Sequence, residues 1–95
     1  MRGYIIVDIK ITDPERYQEY KETAAAAVEA YGGRYVVRGG KTERLEGDWD
    51  NGRIVVLEFD SPERARAWWA SEEYRAPKAL RQSASVTRMI LVEGA

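Results

Sequence analysis

The chain has 95 residues, 44% of them apolar, and its 15 basic and 16 acidic side chains leave a net charge of -1. That length makes one small domain, residues 1–95, and the balanced charge offers no basic field for nucleic acid or an anionic membrane. With neither cysteine nor histidine present, disulfides, thiolate nucleophiles, Ser-His triads and histidine-ligated zinc or haem are excluded.

The opening "MRGYIIVDIKIT" has an apolar run too short for a signal peptide or membrane span, and Asp8 interrupts it, which points to the cytoplasm. Alternation from Gly3 to Ile11 predicts a strand, with Ile5, Val7, Ile9 and Ile11 on one face and Tyr4, Ile6, Asp8 and Lys10 on the other. "TDPERYQEY" then opens a helix: Thr12 or Asp13 caps it, Pro14 suits its first position, and Glu15 complements its positive end. Tyr17, Tyr20, Ala24, Val28 and Tyr31 give the helix one apolar stripe, and Gly32 or Gly33 ends it.

Arg34 to Arg38, "RYVVR", reads as a second strand that bends or bulges at Gly39–Gly40 and continues through "KTERLE". "DWDNG", Asp48 to Gly52, is a loop ending in a hairpin-type Asn-Gly pair. "RIVVLEF" is a third strand, with Val55, Leu57 and Phe59 opposite in direction to Ile54, Val56 and Glu58. Ser61, Pro62 and Glu63 repeat the cap-proline-acid opening, so "SPERARAWWA" is a second helix that buries Ala65 and Trp68. Ser71 caps a further turn, Pro77 predicts a break within "YRAPKALRQ" before a short final helix, and "SVTRMILVE" is the last strand.

Strand, helix, strand, strand, helix, strand is the split βαβ order of ferredoxin-like α+β folds. Right-handed crossovers place both helices on one face of a four-stranded antiparallel sheet of order 4-1-3-2. The helices then cover Ile5, Val7, Ile9, Val55, Leu57 and Phe59. Tyr4, Ile6, Asp8, Ile54, Val56 and Glu58 are left on a half-apolar open face, which predicts a homodimer with sheets packed face to face.

By parity Arg34 and Arg38 lie on that open face, with Glu58 toward the Tyr4 end of the first strand and Asp8 toward the other. A carboxylate enclosed there needs an arginine partner or a proton, so these groups are candidates for chemistry, although pairing around a dimer seam explains the same pattern. Trp68 and Trp69 cannot both point into the sheet from one helix, so one is core and the other is free to roof a pocket or meet a partner. Tyr74, Lys78 and Arg81 could close the mouth of a cavity, but their simpler reading is a solvated helix face. Trp49 sits in an acidic loop as a rim contact or a local staple. No motif calls for a cofactor or a metal.

"YGGRYVVRGGKTERLEGDW", followed by "IVVLEF", "AWWASEEY" and a terminal "LVEG", resembles a bacterial family known only as domain of unknown function thirteen-thirty, over Gly3 to Gly94. The resemblance implies a dimeric α+β barrel, a superfamily that includes cofactor-free monooxygenases, muconolactone isomerase-like enzymes, haem-degrading proteins and ligand-sensing regulator domains. It implies no activity. Two expectations follow. One is a dimeric small-molecule binding protein or cofactor-independent enzyme acting on an anionic or enolisable compound, with its pocket between sheet and helices at the dimer interface. In it Arg34, Arg38 and Arg81 anchor the anion, Glu58 or Asp8 accepts a proton, Tyr4 or Tyr74 donates one, and Trp69 flanks the ligand. The other is a non-catalytic structural or regulatory dimerisation module.

Overall fold

The computed structural model describes residues 1–95. Its elements are β1 (Gly3–Ile11), α1 (Pro14–Ala30), β2 (Arg34–Arg38), β3 (Arg53–Phe59), α2 (Pro62–Trp69), α3 (Glu72–Ala84) and β4 (Ser85–Glu93). The sheet is antiparallel with order β2-β3-β1-β4, the expected ferredoxin-like arrangement read from its other edge. A shortest dimension of 17 Å leaves room for one sheet and one layer of helices.

The local rules account for most of these boundaries. Asp13 accepts the backbone N–H of Arg16 at 3.2 Å and Ser61 accepts that of Arg64 at 3.1 Å, each with proline next in sequence. Ile5, Val7, Ile9, Val55, Leu57 and Phe59 are buried beneath the helices, as alternation requires. Trp68 joins them, with its ring centroid 4.2 Å from that of Tyr74 and 5.5 Å from that of Phe59.

Three expectations are corrected. The helical segment breaks at Ala70–Ser71, and α3 then runs unbroken through Pro77. The reason is packing: Tyr74, Arg81 and Ala84 are all buried, and only a continuous helix puts them on one face across the proline. The lost Pro77 N–H costs one bond, whereas a break would expose that stripe. "KTERLE" forms no strand but is part of an exposed loop between β2 and β3, so Asn51–Gly52 closes no hairpin.

The third correction concerns β2. Arg34 pairs with Glu58 and Tyr35 with Leu57, but Val37 then pairs with Val56 and Arg38 with Val55, so Val36 is the extra residue of a bulge. The irregularity thus lies inside "RYVVR", not at Gly39–Gly40. It reverses parity, and Arg38 turns to the helix side while Arg34 stays on the open face.

Candidate functional site

The open face carries two separate carboxylate clusters. At one end Tyr4 donates its hydroxyl to Glu58 Oε2 at 2.7 Å, and Glu58 Oε1 is paired with Arg34 and, at 3.6 Å, with Arg2. The Tyr4 hydrogen bond holds the Glu58 carboxyl below its usual range; partial burial opposes this, and Arg34 and Arg2 reinforce it. The same bond, with desolvation, pushes the Tyr4 phenol up. Glu58 is therefore a stable anion and a weak base.

Asp8 lies four residues along β1, about 13 Å away. It accepts from the Trp49 indole at 3.0 Å, the Gly52 amide at 2.8 Å and Arg88 at 3.1 Å. Desolvation alone would raise its pKa, but these three donors outweigh it and hold the carboxyl below the usual range. Asp8 thus anchors the β2–β3 loop. Between the clusters, Val37, Ile90 and Val92 are exposed, and Ile6, Ile54 and Val56 are half-buried.

Arg81, Tyr74, Trp69 and Arg38 belong to the helix side. The expectation of a solvated face at Tyr74 and Arg81 fails, since their exposures are 0% and 4%. Arg81 donates from Nε to the Tyr74 hydroxyl at 3.2 Å, and no carboxylate lies within ion-pair distance of its guanidinium. It borders a groove of about 510 Å³ between α3 and β4, together with Trp69, Ser85, Thr87, Met89 and Leu91. Trp68 is core, whereas Trp69 is exposed, with Lys78 Nζ 3.9 Å from its ring centroid and hydrogen-bonded to its carbonyl at 2.9 Å.

Met89 also borders a second, inner space of about 30 Å³ between α1 and the sheet. Its wall includes Tyr17, Tyr20 and Tyr35, the indole of Trp68, and three cations, Lys21, Arg38 and Arg53, but no carboxylate. Arg38 lies 4.1 Å over the Tyr35 ring, where the bulge has sent it. Gly39 has a φ of +72°, which calls for glycine, and a side chain there would also displace the Arg53 guanidinium. Burial pushes the phenols of Tyr17, Tyr20 and Tyr35 up, most strongly for Tyr20. Tyr17 and Tyr20 read as core stripe in the sequence, and Arg53 carried no signal; only the cluster of cations without anions distinguishes this wall from ordinary packing.

No cluster of acidic side chains suited to a metal ion is present, and no helix is long and apolar enough to cross a membrane. No curated protein matches the sequence. The chain is similar in fold to a protein of unknown function from Rhodopseudomonas palustris, at 19% identity and TM-score 0.78, covering 99% of this chain and 82% of that one. A variant of SnoaB, a cofactor-independent oxygenase from Streptomyces nogalater, aligns at 15% identity and TM-score 0.70, covering 98% and 92%. A dimeric ferredoxin-like protein of unknown function from Jannaschia sp. CCS1 aligns at 11% identity and TM-score 0.68, covering 99% and 100%. The model of the family described as domain of unknown function (DUF1330) matches residues 2–95, and the chain belongs to that family.

Proposed function

We propose that the protein is a homodimeric small-molecule binding protein, or a cofactor-independent enzyme, that takes a small anionic or enolisable compound between its sheet and helices. The observation that carries this reading is Arg81: a guanidinium 4% exposed, without a carboxylate partner, on the wall of a groove of about 510 Å³. A buried cation without an anion is costly, and the groove has the volume of small-molecule sites. Trp69 offers an aromatic face and Ser85 and Thr87 offer hydroxyls in the same groove. The ligand's carboxylate or enolate oxygen faces Arg81, with Tyr74 holding the guanidinium in place.

The homodimer packs the open faces together and encloses Ile6, Ile54, Val56 and Ile90, leaving the Arg81 wall of the groove on the outer side of each sheet with Ile90 at its edge. The dimeric ferredoxin-like neighbour from Jannaschia supports a homodimer. The Arg34–Glu58 pair with its Tyr4 hydrogen bond and the Arg88–Asp8 pair then frame the seam, while Arg38 belongs with the inner cavity.

One observation favours the second reading, a non-catalytic dimerisation module: both open-face carboxylates already have partners. The test is native mass spectrometry of freshly purified protein, followed by thermal-shift titration with small carboxylates and β-dicarbonyl compounds. We expect a dimer and a saturable stabilisation that Arg81→Met abolishes while its own unliganded stability stays within about 1 kcal/mol of wild type. No adduct and no stabilisation by any of these compounds would discard the groove as a ligand site and leave the module.

A further inference from the structure

The three buried side-chain polar atoms without a hydrogen-bond partner are Arg53 Nε, Trp68 Nε1 and Glu58 Oε1. The last is explained by its ion pair with Arg34. The other two are donors, and both belong to residues on the wall of the inner cavity of about 30 Å³. Leaving a buried donor unmatched costs free energy, so two on one small space call for a guest rich in lone pairs.

A third donor follows from hydrogen-bond direction. Arginine only donates, so the Tyr74 oxygen accepts from Arg81 Nε at 3.2 Å. Tyr74 has no solvent exposure, and its remaining neighbour is the Tyr20 hydroxyl at 2.8 Å. The arrangement that uses every buried hydrogen has Tyr74 donating to Tyr20. Tyr20 then holds its own hydrogen free at the cavity wall. The chain runs from the Arg81 guanidinium through two phenols, and each link polarises the next.

We infer that the inner cavity is a small-anion site, in which Trp68 Nε1, the Tyr20 hydroxyl and Arg53 Nε donate to one halide-sized anion. Charge separates this guest from a buried water. The wall carries Lys21, Arg38 and Arg53 with no Asp or Glu, a positive excess that a neutral water leaves uncompensated and an anion offsets. Volume limits the guest, since about 30 Å³ exceeds the roughly 10–15 Å³ that a single small guest needs but is far below the space of an organic ligand. The site is distinct from the groove at Arg81, with Met89 on the wall of both, and it holds whether or not the groove binds a ligand.

The test uses bromide on the full-length protein. Crystals grown with sodium bromide are expected to show an anomalous peak between α1 and the sheet near Trp68 and Tyr20. In solution, chloride-35 line broadening should be displaced by bromide. Tyr20→Phe keeps the ring and removes one donor, Trp68→Phe removes the other while leaving an aromatic side chain, and each should weaken bromide binding by about tenfold or more. Tyr17→Phe provides a matched loss of a phenol from the same wall, with a smaller effect. A water peak without anomalous signal, bromide at surface positions only, or wild-type affinity in both donor variants would overturn the assignment.

Discussion

The indole of Trp49 donates to the carboxylate of Asp8 at 3.0 Å, and this bond ties an otherwise exposed loop to the open face of the sheet. Together with the Gly52 amide it makes Asp8 the anchor of the β2–β3 connection. Asp8→Asn removes the charge that gathers Trp49, Gly52 and Arg88. Proteolysis within residues 41–51 should then accelerate by about fivefold or more, since local opening is governed by a few such contacts. Unchanged cleavage kinetics would mean that the loop is held by something else.

The same carboxylate, with Glu58, sets the acid limit of stability. Both groups have native pKa values below their ordinary range. Their contribution is present above the unfolded-state value, about 4, and is lost as pH falls through the lower native value. Melting temperature should therefore drop below about pH 4, and the drop should be shallower in Asp8→Asn. A parallel curve for the variant would remove Asp8 from the acid limb.

At the alkaline end the sign reverses. Tyr4, Tyr17, Tyr20 and Tyr35 have raised native pKa values, so the folded state holds their protons where the unfolded chain releases them. Stability is unaffected below about pH 10 and declines as pH rises beyond it. Absorbance at 295 nm should show only part of the six tyrosines ionising in folded protein near pH 11, with the rest released on adding denaturant.

Ile90, opposite Ile6 at the middle of the open face, is 60% exposed in the single chain. Ile90→Lys should convert a dimer to a monomer in sedimentation equilibrium, weakening association by about a hundredfold, as expected for a charge at an interface centre. The variant's unchanged sedimentation would place the seam on another surface.

Gly39→Ala should destabilise the protein by about 1–2 kcal/mol, through its left-handed backbone and the displaced Arg53 guanidinium. Urea unfolding measures the loss. If the inner cavity depends on Arg53, bromide affinity should fall in the same variant, whereas Gly40→Ala, with open space around it, should leave affinity unchanged.

The strands and the openings of α1 and α2 were legible because they rest on local rules, alternation in "GYIIVDIKI" and the Asp13-Pro14 and Ser61-Pro62 caps. Pro77 misled because its local penalty is visible in sequence, while the buried row of Tyr74, Arg81 and Ala84 that outweighs it is tertiary. "RYVVR" misled for a related reason: five residues of clean alternation give no sign that Val36 is extra. Of the residues singled out in advance, Trp69, Tyr74 and Arg81 lie in one neighbourhood, and Tyr4, Arg34 and Glu58 in another. Tyr20 is legible only as part of the apolar stripe, because an aromatic residue on a helical stripe looks the same whether its hydroxyl faces solvent or a cavity.

The extra residue in β2 divides five residues of chain between two compartments. Arg34 before it answers to Glu58 on one side of the sheet, and Arg38 after it stacks on Tyr35 on the other. The segment from Arg38 to Arg53 is thereby a cassette: exchanging it between relatives would re-tailor the inner cavity's mouth while the Arg34–Glu58 pair stayed as it was. Deleting Val36 would leave Arg38 opposite Val55 on the helix side, whereas a strand that kept Val36 but lost the bulge would set Arg38 opposite Ile54, on the side of Arg34, so the bulge alone, with no change in composition, decides which compartment holds the charge.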